Sequence, residues 1–393
     1  MLDSLFVGMT GLQGFSRGLR VISNNVTNLN TPGFKGSRQQ FGDLFYQQMP
    51  GGNLPNVQGA QYGTGLGSLA TTVNFQPGEV RQTGSSLDAA IDGDGFFVLR
   101  SEQGPLYTRA GQFEFNANGV LVSRTSGNPV MGFGADGTLG EVSLTGLRVN
   151  AARATTTMDL TGNLSSTATE FTVNGGKLID SAGAEHVVRL VFRRAAQTTG
   201  GWSVEVLEGT TSLATGNVRF ANGRPVVGED SLSFTYTPTG APSQQVTIRL
   251  GAEATSFASG TSSSLSVATQ DGFAAGSLVN ATFNADGVLT LSYSNGQTAQ
   301  GAQLAIARFE VSGALEQSGG NEFTAADPQA ARMGRPGQAG FGAVAAGQLE
   351  LSNVDLSTEF SDLIVMQRGY QASSRVISTA NEMLQELFDM KGR

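Results

Sequence analysis

The chain of 393 residues contains no cysteine. That removes disulfides, thiolate metal sites and cysteine nucleophiles, and leaves the redox compartment open. It has one histidine, His186, with no partner at a motif spacing for a metal site or general base, so no role is assigned to it. Charge is also scarce, at 14% of residues against a usual ~25%. The 24 basic and 32 acidic residues give a net charge of −8 with no basic cluster, which argues against nucleic acid or an anionic membrane surface as a partner. No apolar run approaches the ~18 residues of a membrane span, so no membrane insertion is expected. The opening MLDSLFVGMTGLQGFSRGL carries Asp3 where a secretory signal is basic, and it lacks a compact apolar region and a cleavage site; a cleaved signal is not expected.

Chemical motifs are equally sparse. The acids Asp92 and Asp94 in IDGDGFFVL would suit calcium only with further ligands that are missing, and their flanking glycines favour a turn. The run Gly63, Gly65, Gly67 fails the spacing of a dinucleotide loop and has no helical pattern after it, so it reads as flexible linker. No catalytic, cofactor-binding or metal residue is proposed, no cofactor is expected, and an enzyme such as a two-carboxylate glycosidase has no supporting motif.

What is abundant is glycine: 54 residues, roughly twice the usual ~7% share. Short β-branched or aromatic runs bounded by Gly, Asn, Asp or Pro fill the middle of the chain, at 95–99, 112–115, 187–192, 202–206, 232–236, 246–250 and 289–293. The unit FNANGVL at 115–121 returns as FNADGVL at 283–289, each placing a tight-turn dipeptide inside a hairpin. Two copies so far apart suggest one domain built from two chain segments. Between them, residues 146–275 shift toward Thr, Ser and Ala and read as a separate inserted β-domain.

Both ends carry a helical period instead. Leu5, Leu12, Leu19 and Val26 recur every seven residues, with Gly8, Phe15, Ile22 and Leu29 three positions later. At the other end Leu356, Leu363, Tyr370, Ile377 and Leu384 recur likewise, with Glu359, Met366, Ser373, Ala380 and Leu387 at the second seam position. Asn353 or Asp355 can cap this second helix. Gly11, Gly14, Gly18 and Gly369 weaken isolated helices by ~1 kcal/mol each relative to Ala. The seams serve an internal helix pair or packing between copies equally well.

The first helix closes on SNNVTNLNTPGFK at 23–35. Asn28 and Asn30 can satisfy its last backbone groups, and Pro32 with Gly33 stops it. Asn24 and Asn25 flank the seam residue Val26 and are expected to face away from the partner helix. The fold class that results is mixed and mainly β. Long terminal helices at 1–30 and 353–393 form a coiled coil, 31–70 is a linker, 71–145 with 276–352 is a discontinuous inner β-domain, and 146–275 is an outer β-domain inserted in it.

These motifs resemble one family. SNNVTNLNTPGFK at 23–35, IDGDGFFVL at 91–99, YTRAGQFEFNANGVLVS at 107–123 and LELSNVDLSTEFSDLIVMQRGYQASSRVISTANEML at 349–384 are similar to those of the flagellar axial rod and hook proteins; in the insert the likeness rests mainly on ATTTMDLTGNL at 154–164. Rod members share the terminal motifs but are typically shorter, so the insert favours the hook branch. The resemblance implies a homopolymer: paired helices line the channel of a helical tube, which works as a universal joint between rod and filament. It further implies an extracellular place in the flagellar hook, reached through the flagellar type III export apparatus. By family the partners are the hook cap protein, the distal rod protein and the hook-filament junction proteins. Without cysteine, the cysteine-lysine cross-link of some hook families is excluded. The alternatives are a distal rod protein with an enlarged insert and a secreted β-rich adhesin.

Overall fold

A computed structural model of the chain describes residues 2–44, 46–48, 61–63, 65–310 and 314–391. Two helices bracket a run of strands: α1 spans Leu2–Thr27 and α2 spans Leu356–Lys391. Among the described residues the regular structure between them is β-structure, apart from 3-10 geometry at Ala314 and at Pro328–Ala330. Each run expected as a strand lies in or overlaps one, from Phe96–Ser101 to Val288–Tyr293.

The chain divides into two compact units. The first holds 1–145, 281–290 and 300–393, the second 146–280 and 291–299. Both helices therefore fall in the same unit as the inner β-structure. The insert extends to Asn280 and includes a second stretch, 291–299, beyond the boundary expected from composition.

In the first unit, six antiparallel strands form a sheet in the order Leu315–Gly319, Glu322–Ala325, Gly104–Thr108, Phe96–Ser101, Ile306–Phe309 and Ala331–Gly334. The core on it is aromatic. Phe75 meets Phe96 at 5.6 Å and Phe323 at 5.3 Å, while Tyr107 meets Phe309 at 4.8 Å, all edge-on. Edge-on stacking places ring hydrogens against ring faces and adds to the stabilisation from burial. Gly93 and Gly95 both have positive φ, so IDGDG makes the turn into the strand Phe96–Ser101.

Two short pairings bring distant parts of the sequence together. Val80–Gln82 pairs with Gln348–Glu350, and Ala89–Asp92 with Ala343–Ala346. They set Glu350, just before α2, deep in the unit.

The stretch expected as a linker is different in kind. Ser37–Asp43 pairs antiparallel with Leu66–Val73, and Tyr46–Gln48 with Gln61–Gly63, so residues 37–73 contain a β-ribbon. Residues 45, 49–60 and 64 of that stretch lie outside the described residues. The ribbon packs on α1, with Phe41 6.0 Å from Phe15 and Leu66 beside Gly14. Low hydropathy concealed it, because a ribbon held by one helix needs apolar residues at only a few positions.

The repeated turn also differs from a two-residue type I′ hairpin, which would need two positive φ values. Only Gly119 and Gly287 take them. The preceding asparagine does the rest: Asn116 Oδ1 accepts from the N-H groups of Asn118 and Val120, and Asn284 Oδ1 from those of Asp286 and Val288. The side chain mimics a backbone turn.

The second unit is a two-sheet sandwich. One sheet runs Ser231–Tyr236, Gln244–Thr255, Thr157–Asn163, Ser266–Gln270, with the middle pair parallel. The other is an antiparallel meander from Glu170–Ile179 through Glu185–Arg194, Gly201–Glu208 and Thr211–Ala221 to Arg224–Pro225. Alternate residues point inward and form one core that includes Phe192, Trp202, Phe220, Phe234, Val246 and Ile248.

Candidate functional site

The two terminal helices pack antiparallel, and glycine makes the contact. A Cβ on Gly8 would stand 2.7 Å from Ile377 Cγ1, one on Gly11 2.6 Å from Ser373 Oγ, one on Gly18 3.0 Å from Met366 Sδ, and one on Gly369 2.6 Å from the Phe15 ring. The face that α1 turns to α2 is thus Gly8, Gly11, Phe15, Gly18, Ile22 and Asn25, still a heptad alternation of three and four. Without side chains at three of these positions the helix axes come closer than two leucine rows allow.

The expected seam residues are therefore divided. Phe15 and Ile22 lie on the meeting face of α1, and Leu363, Met366, Ile377, Ala380 and Leu384 share one face of α2 with Ser373 and Gly369. Leu5, Leu12, Leu19 and Val26 are half-buried on the flank of α1, one step round the helix. Leu29 lies past the end of α1 at Thr27. Leu356, Tyr370 and Leu387 are exposed. The glycines that look like flaws in an isolated helix are what rotates the seam.

At the end of α1 the asparagines separate into two roles. Asn28 Nδ2 donates at 2.9 Å to the Asn24 carbonyl, which also accepts the Asn28 backbone N-H, so the side chain reinforces the last turn, while Asn24 and Asn30 are exposed. Asn25 does not face away from the partner helix. It is buried, its Nδ2 donating at 2.8 Å both to the Ser37 carbonyl and to Glu359 Oε1 of α2, and its Oδ1 accepting from Ser37 N-H at 3.0 Å. Because the seam rotates onto Gly11 and Gly18, the position seven further on turns inward with them.

Asn25 lines a cleft of about 450 Å³ bounded by α1, the ribbon and the start of α2, with Asp355, Glu359 and Asp362 on one wall and Arg38 on another. Desolvation raises the pKa of Glu359, assisted by Asp362, against the bond from Asn25. Of the two candidate caps for α2, Asp355 does the capping, accepting from Ser357 N-H at 2.8 Å. Asn353 instead ties together the segments flanking the ribbon, bonding Gly36 N-H just before Ser37–Asp43 and the carbonyls of Asn74 and Gln76 just after Leu66–Val73.

Below this joint sits a buried charge cluster that no motif spacing predicts. Lys35 Nζ meets Glu350 Oε1 at 2.5 Å, Arg109 meets Glu350 Oε2 at 3.1 Å, and the Lys35 and Glu350 side chains have no exposed surface. Gly78 N-H also donates to Glu350, and Arg109 donates to the carbonyls of Ile91 and Gly93. Burial holds the Lys35 ammonium below the ordinary lysine range, with Glu350 opposing. Gly33 enters here as well: its N-H donates to the Glu350 carbonyl at 2.8 Å, and with φ +70° it passes so close to Ala110 that a Cβ would lie 2.4 Å from that backbone nitrogen. Pro32 is held by Asn321 Nδ2, which donates to its carbonyl. The cluster draws one residue from each of three quoted motifs, at 23–35, 107–123 and 349–384. Only in the first is the charged residue, Lys35, the motif's single charge.

The outer faces of the helices remain uncovered. On α2 a second apolar stripe, Val365, Val376, Met383, Leu387 and Met390, recurs at helical spacing beside the α1 contact and is exposed by 45–71%. On α1, Phe6 and Met9 are exposed in the same way. In the second unit His186, left without a role by sequence, lies between Glu208 Oε1 at 2.8 Å and Asp180 Oδ2 at 3.2 Å, and Tyr236 Oη donates to the other oxygen of Glu208. Among the described residues no group of three or more His, Asp or Glu has metal-site geometry.

Comparison with known proteins starts at the same segments. The family model described as "Flagella basal body rod protein" matches residues 5–35, "Flagellar hook protein FlgE/F/G D1 domain" matches 90–178, and "Flagellar basal body rod FlgEFG protein C-terminal" matches 345–390. The flagellar hook protein FlgE of Treponema pallidum is 30% identical over 463 aligned positions, covering 100% of both chains. The chain belongs to the flagellar hook protein family. A rod member of the wider group, the flagellar basal-body rod protein FlgG of Bacillus subtilis, is 27% identical over 401 positions, again covering 100% of both chains. A solved Helicobacter pylori hook protein, FlgE2, aligns at 14% identity over 68% of this chain and 98% of that one, with a TM-score of 0.47. The hook family is structural, and its models fall on both terminal helices, the Asn25 joint and all three contributors to the buried charge cluster.

Proposed function

We propose that this chain is the structural subunit of a bacterial flagellar hook, a homopolymer whose paired terminal helices line a central export channel. The observation that carries this reading is the exposed apolar stripe of α2. A monomeric helix pair has no use for a second row of apolar side chains beside its seam, whereas a helix packed against neighbouring copies buries it. The row recurs at the spacing a neighbouring helix requires.

In this reading the helix pair supplies torsional strength, the β-units form the wall, and sparsely charged, glycine-rich turns give neighbouring copies contacts that slide at little cost. The tube then bends while passing torque from rod to filament, as a universal joint. The subunit travels unfolded through the flagellar type III apparatus to an extracellular hook. Its neighbours there are the hook cap protein, the distal rod protein and the hook-filament junction proteins.

Sedimentation tests the central part. Val376→Asp or Met383→Asp puts a charge in the exposed stripe without touching the α1 seam. Each variant should stay soluble at concentrations where the parent chain pellets, with unchanged circular dichroism. Pelleting equal to the parent would sink the reading. A rod reading has one observation in its favour, the full-length match to the rod protein FlgG; it requires a straight polymer.

A further inference from the structure

The helices differ in length. At ~1.5 Å per residue, the 26 residues of α1 span about 39 Å and the 36 of α2 about 54 Å. With Gly8 beside Ile377 and Gly18 beside Met366, the antiparallel register brings Leu2 level with the region of Glu382, so α2 runs on past α1 by about two turns. That overhang is amphipathic. Met383, Leu387 and Met390 are exposed on one side, and Glu382, Glu386 and Asp389 form an exposed acidic row next to them. Among the described residues none of these three acids makes an ion pair.

The complement lies at mid-length. Leu12 of α1 and Tyr370 of α2 line a shallow groove of about 390 Å³ together with the polar Gln13 and Ser16, and Arg17 and Arg20 stand at its rim. Both arginines are exposed, and neither has an ion-pair partner among the described residues. Within one chain the two sets cannot meet: Met366, beside Gly18, is twenty residues from Glu386, about 30 Å along the helix.

We propose that the overhanging end of α2 docks into the Leu12–Tyr370 groove of a second copy of this chain, with Glu382 and Glu386 against that copy's Arg17 and Arg20. The occupant and its seat match chiefly in charge, an acidic row over two free guanidiniums, with Leu12 and the Tyr370 ring as the apolar contacts beneath Met383 and Leu387. Tip and seat are different surfaces, so the contact is heterologous; repeated, it generates an open helical array and leaves a free seat at one end and a free tip at the other. The rim charges set partner register and association rate more than affinity. This contact rests on the polymer reading above and specifies one of its interfaces.

Charge reversal tests it on the full chain. Arg17→Glu with Arg20→Glu should raise the concentration needed for pelleting by about tenfold or more. Glu382→Arg with Glu386→Arg should do the same, and the chain carrying all four changes should regain most of the loss. Because the chain has no cysteine, a second readout is clean: Arg20→Cys and Glu386→Cys chains, mixed and treated with a short bismaleimide, should give a cross-linked dimer that neither gives alone. Reversed chains that pellet like the parent, or no rescue together with no mixed cross-link, would overturn this contact while leaving the polymer intact. A parent chain that never pellets would overturn the polymer reading itself.

Discussion

The amide of Asn25, near the end of α1, donates to the Glu359 carboxylate in the first turn of α2 at 2.8 Å, across 334 positions of sequence. The same side chain makes both bonds of a backbone-like pair with Ser37, where the ribbon begins. One residue therefore fixes the angle between the two helices and the first strand that leaves them.

Asn25→Ala should cost about 1–3 kcal/mol, because it leaves Ser37 N-H and C=O and the Glu359 carboxylate with only cleft water for partners. Chemical denaturation followed by circular dichroism measures it. Asn25→Asp keeps the shape but sets a second carboxylate against Glu359, so its deficit should be larger at pH 7 than at pH 4. An equal deficit at both values would show that Glu359 is not the partner that matters.

Glu350→Gln preserves volume but leaves Lys35 and Arg109 buried without a counter-charge. A loss of about 3–5 kcal/mol is expected, the usual cost of breaking a buried pair by removing one partner. Lys35→Met should cost less, since Arg109 and Gly78 N-H still satisfy Glu350. Urea midpoints in the opposite order would contradict the assignment of Glu350 as the hub.

Gly33 and Gly11 are predicted to be intolerant for different reasons. Gly33→Ala meets both a positive φ and immovable backbone at Ala110, so it should destabilise the first unit by several times the ~1 kcal/mol of an ordinary glycine change. Gly11→Val should leave the β-units folded and pry α1 from α2, because its clash is with the Ser373 side chain. Proteolysis confined to the helices in the second variant, with general loss of protection in the first, is the expected pattern.

The stability of the second unit should depend on His186. Burial lowers its pKa, but the bonds and charges of Glu208 and Asp180 outweigh that and raise it overall. A histidine whose folded pKa lies above its unfolded one stabilises fully below the unfolded value, ~6.5, and loses that contribution as pH rises through the folded value. The groups that face it are Asp180, Glu208 and Tyr236. Trp202, the chain's one tryptophan, is buried in this unit's core and reports its melting by fluorescence. The melting temperature should fall between pH 6 and pH 9, and His186→Gln should flatten the profile; an unchanged slope in the variant would assign the dependence elsewhere.

Much of this architecture can be read from residue periodicity. The seven-residue rows mark α1 and α2, and the short β-branched runs bounded by turn residues mark the strands, because each element's burial repeats along its own length. Long-range pairing is harder. Nothing local says that Lys35 belongs with Glu350, or that Ser37–Asp43 returns against Leu66–Val73. The seam was legible in period and, for the Gly8–Phe15–Ile22 row and most of α2, in phase; the second row of α1 shifts by one residue, because leucines outrank glycines on hydrophobicity while close approach favours the row that has no side chains. Asn25 follows the glycines inward, a role that the leucine row of Leu12 and Leu19 does not signal.

Electron microscopy of the purified chain at rising concentration decides whether it builds a hook. Hollow, curved tubes are expected, with polymer absent from Val376→Asp samples at the same concentration. A parent chain that remains monomeric, or that forms only straight, rigid tubes, would contradict the assignment as a hook subunit.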